Sequence, residues 1–163
     1  MHPFLERMFK LWAMSNFQSQ ELQALVYRSA SVGGLSNSDL ERLLVDAVVH
    51  NRTHSVTGAL LYDGQRFFQY IEGPIDGLTR VMARIEASTK HSRVEILFRG
   101  PIAERHFWNW SMACRHADAS LVQRLEEARW TERAYPHLLE DGSTNSGLTM
   151  LSEFWHVDSP SPC

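Results

Sequence analysis

Two runs of alternating residues, 56–62 and 65–71, flank the dipeptide Asp63-Gly64. Asp-Gly between alternating apolar runs predicts a β-hairpin with a two-residue loop. With that loop, Gln69 pairs with Gly58, which has no side chain. The residues that share one face are Val56, Gly58, Leu60, Tyr62, Gln65, Phe67, Gln69 and Ile71. A polar amide beside a gap on an apolar face suits a ligand that forms hydrogen bonds.

Three more segments alternate and predict strands at 22–29, 93–99 and 107–113. In the first, the residues that share a face are Leu25, Tyr27 and Ser29. In the last, they are Trp108, Trp110 and Met112. Together with the hairpin, these segments predict a sheet of five strands.

Apolar residues spaced three and four apart predict two helices between the strands. The first has a cap at Ser36 or Ser38 and ends near Asn51, and the second opens at Pro74 and Asp76. The resulting order, β-α-β-β-α-β plus one strand, predicts a ferredoxin-like α+β fold. We expect one mixed five-stranded sheet with both helices on one face, and a ligand between the helices and the strand ends.

The alternation ends after residue 115, and helical patterns follow it. We expect one helix capped at Asp118 or Ser120, a short helix over 148–156 and a frayed tail. The N-terminal segment has the pattern of a short amphipathic helix, and the native start is either Met1 or Met14. The chain therefore divides into an N-terminal extension, a single domain and a C-terminal helical extension, at 1–20, 21–115 and 116–163.

Composition narrows the classes of function. The 163 residues carry a formal charge of −3 and no basic run, which argues against direct nucleic-acid or anionic-membrane binding. No apolar run reaches the roughly 20 residues that span a bilayer. Cys114 and Cys163 form no disulfide framework, so we expect reduced thiols and a cytoplasmic protein. His50 and His54 have no third clustered ligand, so we expect no metal site.

Three polar residues occupy positions where the pattern predicts burial: Tyr27, Asn51 and Gln69. Each alone is a common core residue. Three buried groups without partners would each cost about 1–3 kcal/mol, and a planar heteroaromatic ligand with donors and acceptors would satisfy all of them. A catalytic role for Glu72 has no support, because no partner carboxylate lies at a useful spacing.

An ordered set of residues carries a family resemblance. The set is Tyr27-Arg-Ser29, Asn51, Thr57-Gly-Ala-Leu-Leu-Tyr62, Phe67-Phe-Gln69, Glu72-Gly73, His91 and Trp110-Ser-Met112. Over about residues 20–115 the chain resembles a BLUF domain, the blue-light sensor that uses FAD, of the short stand-alone type. The resemblance implies a ferredoxin-like fold and no enzymatic activity. It also implies non-covalent FAD between the two helices, for which FMN or riboflavin can substitute.

The resemblance also implies residue roles. Tyr27 donates an electron and a proton to excited flavin, Gln69 switches its hydrogen bonds, and Asn51 holds the C4 carbonyl and N3 edge of the ring. Trp110 and Met112 report the change in the glutamine. The other implied cofactor-binding residues are Ser29, Leu43, Ala47, His50, Arg84, Ile85, Ser88, Lys90 and His91. Ser88 is a departure, since many members of the family carry Asp there.

The implied function is a light switch that signals to a partner protein in trans, such as a cyclic-di-GMP enzyme or a transcription regulator. A homo-oligomer is compatible with it. Two alternatives remain. A flavin-dependent oxidoreductase would need substrate access and a nicotinamide site, and the chain has no nicotinamide fingerprint. An interaction scaffold would use Tyr27 and Gln69 only as core residues. A dark-minus-light absorption spectrum separates the three.

Overall fold

The computed structural model describes residues 21–108, 110–130 and 146–156. Its elements are β1 (Leu22–Ser31), α1 (Asn37–Thr53), β2 (Thr57–Tyr62), β3 (Arg66–Pro74), α2 (Ile75–Ala87), β4 (His91–Pro101), β5 (Ala113–His116), α3 (Ala119–Glu127) and α4 (Ser146–His156). The sheet order is β4-β1-β3-β2-β5. Neighbouring strands are antiparallel except β2 and β5, which are parallel. The predicted ferredoxin-like α+β fold with a mixed five-stranded sheet is confirmed.

The helix starts follow from capping chemistry. Ser36 caps α1 by accepting a hydrogen bond from the Asp39 amide at 3.1 Å, and α2 begins directly after Pro74. Asp118 caps α3 in the same way, through the Leu121 amide at 2.8 Å. These starts confirm the predicted ones. The predicted N-terminal amphipathic helix and the frayed tail lie outside the described residues.

The hairpin register differs from the predicted one. Tyr62 pairs with Phe67, so four residues connect the paired positions instead of two. The Asp63 carboxylate causes the longer loop, because its Oδ1 accepts from the amides of Gln65 at 2.9 Å and Arg66 at 2.7 Å. The register moves by two residues, so each side chain keeps its predicted face.

The predicted gap beside Gln69 is therefore wrong. Gln69 pairs with Leu60, and Gly58 pairs with Ile71. A Cβ at Gly58 would lie 2.1 Å from the carbonyl oxygen of Tyr70, which shows that glycine is needed for a close backbone approach. Gly58 allows the two strands to approach closely, and no space for a ligand remains beside it.

The predicted strand at 107–113 is also wrong, since β5 begins only at its last residue. The segment turns back on itself where the Trp110 amide donates to the Phe107 carbonyl at 3.1 Å. As a result its side chains do not share a face. Trp108 is 70% exposed, Trp110 packs on one side of the sheet and Met112 packs on the other.

Helices cover both faces of the sheet. On the first face, α1 and α2 pack over Leu25, Tyr27, Leu60, Phe67 and Ile71. On the second face, α3 and α4 pack over Ala24, Val26, Ala59, Leu61, Phe68 and Tyr70. The sequence analysis described the C-terminal helices only as an extension, whereas they close half of the hydrophobic core.

Two predictions from composition have separate outcomes. No helix among the described residues is long and apolar enough to cross a membrane. Cys114 is disulfide-bonded, so the prediction of reduced thiols is wrong at that position, and Cys163 lies outside the described residues. Two cysteines can bridge wherever their Cα atoms come within about 7 Å, which spacing along the chain does not reveal. Cytoplasmic localisation stays a prediction.

Candidate functional site

A cavity of about 330 Å³ lies between α1 and α2 over the first face of the sheet. Its size falls in the range of small-molecule sites, roughly 300–1,000 Å³. Every predicted cofactor-binding residue except Ser29 lines it. These residues are Tyr27, Leu43, Ala47, His50, Asn51, Gln69, Arg84, Ile85, Ser88, Lys90 and His91.

Tyr27 and Gln69 face each other across the centre of the sheet, where β1 pairs with β3. The buried Tyr27 hydroxyl donates to Gln69 Oε1. Gln69 Nε2 in turn donates to Met112 Sδ at 3.1 Å. Since a thioether sulfur is a weak acceptor, the second bond is the weaker member of the chain. Gln69 therefore has one firm partner and one that is easily exchanged.

Burial raises the pKa of the Tyr27 hydroxyl far above its usual value near 10. Tyr27 remains protonated at neutral pH, and Gln69 Oε1 is the acceptor aligned with its proton. The pair therefore has a defined route for a proton along one hydrogen bond.

Asn51 lies in the last turn of α1 and is only 2% exposed. Its Nδ2 donates to the Ser111 carbonyl at 2.9 Å, while the residue also lines the cavity. Asn51 therefore connects the cavity wall to the segment that carries Trp110 and Met112.

Ser29 lies behind the cavity wall. Its Oγ shares a hydrogen bond with His91 Nδ1 at 2.8 Å, and the His91 ring packs against Phe67 with ring centroids 4.7 Å apart. Burial lowers the pKa of His91 to about 4, so this imidazole is neutral at pH 7. Ser29 therefore orients His91 and does not itself line the cavity.

The sequence analysis missed five residues that line the cavity: Asp39, Arg42, Asp46, Leu60 and Val81. Arg84 NH2 lies 4.0 Å from Asp46 Oδ2, so charged groups from both helices meet at the cavity. Helical spacing from Leu43 would have found two of them, Asp39 and Asp46, since residues three or four apart share a helix face.

His50 presents an unsatisfied polar atom at the cavity wall. Its Nε2 is buried and has no hydrogen-bond partner among the described residues. Burial, then the charge of Arg84, lowers the pKa of His50 below 6.5, which favours a neutral ring. The ring of His54 contacts it at a centroid distance of 4.6 Å. Within the described part of the chain, no three His, Cys, Asp or Glu residues cluster to hold a metal.

These features fit a flavin. The walls formed by Leu43, Ala47 and Ile85 are apolar, as a planar ring requires. The polar groups of Gln69 and the orphan nitrogen of His50 suit the heteroatom edge of such a ring.

Trp110 and Met112 lie on opposite faces of the sheet, and neither lines the cavity. Trp110 packs against Phe107 and Trp155, with ring centroids 5.5 Å and 5.3 Å away. Met112 accepts a hydrogen bond from Gln69 and packs against the core on the first face. Residues 110–112 therefore connect Gln69, through Met112, to the second face of the sheet, where Trp110 packs.

Sequence comparison matches the part of the chain that forms the sheet and cavity. A model of the BLUF family, described as sensors of blue-light using FAD, matches residues 22–113. The beta subunit of photoactivated adenylate cyclase from Euglena gracilis is 32% identical over 104 residues, 63% of this chain and 12% of that protein. The alpha subunit from the same organism is 35% identical over 100 residues, 60% of this chain and 10% of that protein. The chain thus spans only about a tenth of these relatives.

Solved structures agree with this match. BlrB, a BLUF protein in its dark state, is 26% identical with a TM-score of 0.64, and the match covers 83% of this chain and 98% of BlrB. Klebsiella pneumoniae BlrP1 with FMN and cyclic diGMP is 33% identical with a TM-score of 0.53, over 60% of this chain and 26% of BlrP1. The family match covers more than half of the sequence. The chain therefore belongs to the BLUF family of blue-light sensors, which bind flavin and act as sensors rather than enzymes.

Proposed function

We propose that this chain binds FAD non-covalently in the cavity between α1 and α2 and converts blue light into a change in the hydrogen bonds of Gln69. The observation that carries the proposal is the hydrogen-bonded chain from the Tyr27 hydroxyl through Gln69 to Met112 Sδ, in which Tyr27 and Gln69 line the cavity. If Gln69 had only a structural role in the core, its amide would not need to lie beside a cavity.

Bound in this cavity, a flavin would supply the light-absorbing group and, once excited by blue light, an oxidant able to accept an electron from a nearby tyrosine. Tyr27 is the tyrosine that lines the cavity, and its proton already lies on a hydrogen bond to Gln69 Oε1. Gln69 carries both a donor and an acceptor, so it can exchange partners without a change in charge. Loss of its weak bond to Met112 would remove one of the bonds that hold the segment at 110–112, where Asn51 and Gly58 make the others.

The remaining residues bind and orient. Asn51 and His50 present amide and imidazole groups to the ring edge, and the apolar walls exclude water from it. Arg84 and Lys90 supply positive charge for a phosphate-bearing tail. That charge favours FAD or FMN over riboflavin, and we propose FAD as the native cofactor because the family is described by it.

We further propose that the signal passes to a partner protein in trans. Trp110 packs against Trp155 of α4, so a displacement at Gln69 would reach the surface through the C-terminal helices. BLUF domains signal to effectors such as adenylyl cyclase or a cyclic-di-GMP enzyme, as the solved relatives indicate. A cyclic-di-GMP enzyme or a transcription regulator is the class of partner that we expect.

The test is a dark-minus-light absorption spectrum of the purified protein reconstituted with FAD. We expect a flavin band in the blue and a small reversible red shift on illumination. The Gln69→Leu and Tyr27→Phe variants should bind flavin and lose the shift. Leu60→Val, a conservative change on the same wall, should keep it. A Gln69→Leu variant with a normal shift would refute the proposed switch.

The same sample tests the two alternative functions. An oxidoreductase would reduce its flavin steadily with NADH in the dark. A scaffold without a cofactor role would purify and remain colourless after incubation with FAD, FMN and riboflavin. Either result would replace the light switch as the conclusion.

A further inference from the structure

Glu72 is fully buried on the second face of the sheet, three residues along β3 from Gln69. Its two carboxylate oxygens accept hydrogen bonds from separate donors. Oε1 accepts from the Phe107 amide at 2.5 Å, and Oε2 accepts from the His106 amide at 2.9 Å. The hydroxyl of Tyr70 adds a bond to Oε2 at 3.1 Å. Glu72 thus holds two consecutive amides of the loop after β4.

Arg105 strengthens the same attachment. Its guanidinium donates to Thr57 Oγ1 at 2.8 Å, to the Ser55 carbonyl at 2.6 Å and to the Glu72 carbonyl at 3.2 Å. These bonds join the loop to both strands of the hairpin. A buried carboxylate is costly unless its donors are complete. Here two of the four donors are amides of this loop, and the Tyr70 hydroxyl and Thr57 Oγ1, the latter at 3.3 Å from Oε1, supply the others.

The loop from residue 105 to residue 112 therefore has two attachments of different character. Its first part is bound to Glu72 by two backbone amides. Its second part is held by Gly58, whose amide donates to the Trp110 carbonyl at 2.9 Å, and by the thioether bond from Gln69 to Met112. Only the second attachment includes the residue proposed to switch.

We infer that Glu72 is a positioning residue that keeps the first part of this loop fixed in dark and light, so that Met112 returns to Gln69 after illumination. The inference rests on the proposed function. If the loop keeps Met112 close to its dark position, little conformational entropy is lost when its bond with Gln69 re-forms. If the loop is loose, that entropy is lost in each recovery. Loss of the Glu72 attachment should therefore slow dark recovery.

The Glu72→Gln variant tests this with little change of shape. The amide offers one oxygen, so one of the two loop amides loses its acceptor. In the flavin-reconstituted protein we expect the red shift to remain, dark recovery to slow about threefold or more, and exchange of the 106 and 107 amides to accelerate about tenfold. Glu86→Gln, an exposed carboxylate on α2, is the matched control.

Arg105→Met provides a second variant that leaves the carboxylate in place. It should slow recovery in the same direction, which covers the case in which Glu72→Gln fails to fold. Recovery at the wild-type rate in the variants that fold would overturn the inference. So would loss of protection at the 106 and 107 amides of the wild type on illumination. A wild type without any red shift would instead refute the proposed function, while amide exchange in the dark would still test the attachment.

Discussion

Acidification should destabilise the fold through His91. The pKa of this residue falls from 6.5 in the unfolded chain to about 4 in the folded one because the imidazole is buried. The unfolded chain therefore binds more protons between these values. The contribution of His91 to the free energy of unfolding is fully present above pH 6.5 and is lost as the pH falls toward 4. At about 1.4 kcal/mol per pKa unit, the loss between pH 7 and pH 4 is about 3 kcal/mol.

The assay is urea unfolding followed by far-ultraviolet circular dichroism at pH 7, 6, 5 and 4, without flavin and with saturating FAD. His91→Gln removes the titrating group and keeps a partner for Ser29. The difference in unfolding free energy between wild type and variant should shrink by about 3 kcal/mol across this range. His116→Gln, at an exposed position, is the control substitution. Equal pH dependence in wild type and His91→Gln would refute the reasoning.

Three further changes test the packing. Gly58→Ala should lower the unfolding free energy by about 3 kcal/mol or more, since a Cβ there would lie 2.1 Å from the Tyr70 carbonyl oxygen, as thermal melts would show. Glu126→Gln should cost about 1–2 kcal/mol and reduce the salt dependence of stability, because this buried carboxylate on α3 pairs with two arginines of the sheet. Trp155→Ala should cost about 3–5 kcal/mol in urea unfolding and change the fluorescence of Trp110.

Local patterning predicted the elements well where the pattern itself determines the structure. Helix starts at Ser36 and Asp118 follow from side chains that bond nearby amides, and such chemistry is visible in the sequence. The hairpin register was wrong because the Asp63 side chain lengthens the loop. The strand at 107–113 was wrong because alternating tryptophans resemble a strand, whereas Trp108 is exposed and the Trp110 amide bonds back to the Phe107 carbonyl.

The candidate site was also predictable in part from local patterning. Tyr27, Asn51 and Gln69 stood out as polar residues at apolar positions, and the structure places all three at one cavity. The role of Ser29 could not be read from the sequence, because its partner His91 lies on another strand. Asp46 and Arg42 escaped notice because exposed helix faces carry such residues without any function.

Because α3 and α4 cover the second face of the sheet, they limit where the chain can be shortened. The family match ends at residue 113, yet Phe68 and Tyr70 of the central strand are buried beneath helices that begin at Ala119. A fragment trimmed to the matched region would expose a broad aromatic surface to water and would be expected to aggregate. The region that the family match covers is therefore shorter than the length of chain that buries this surface.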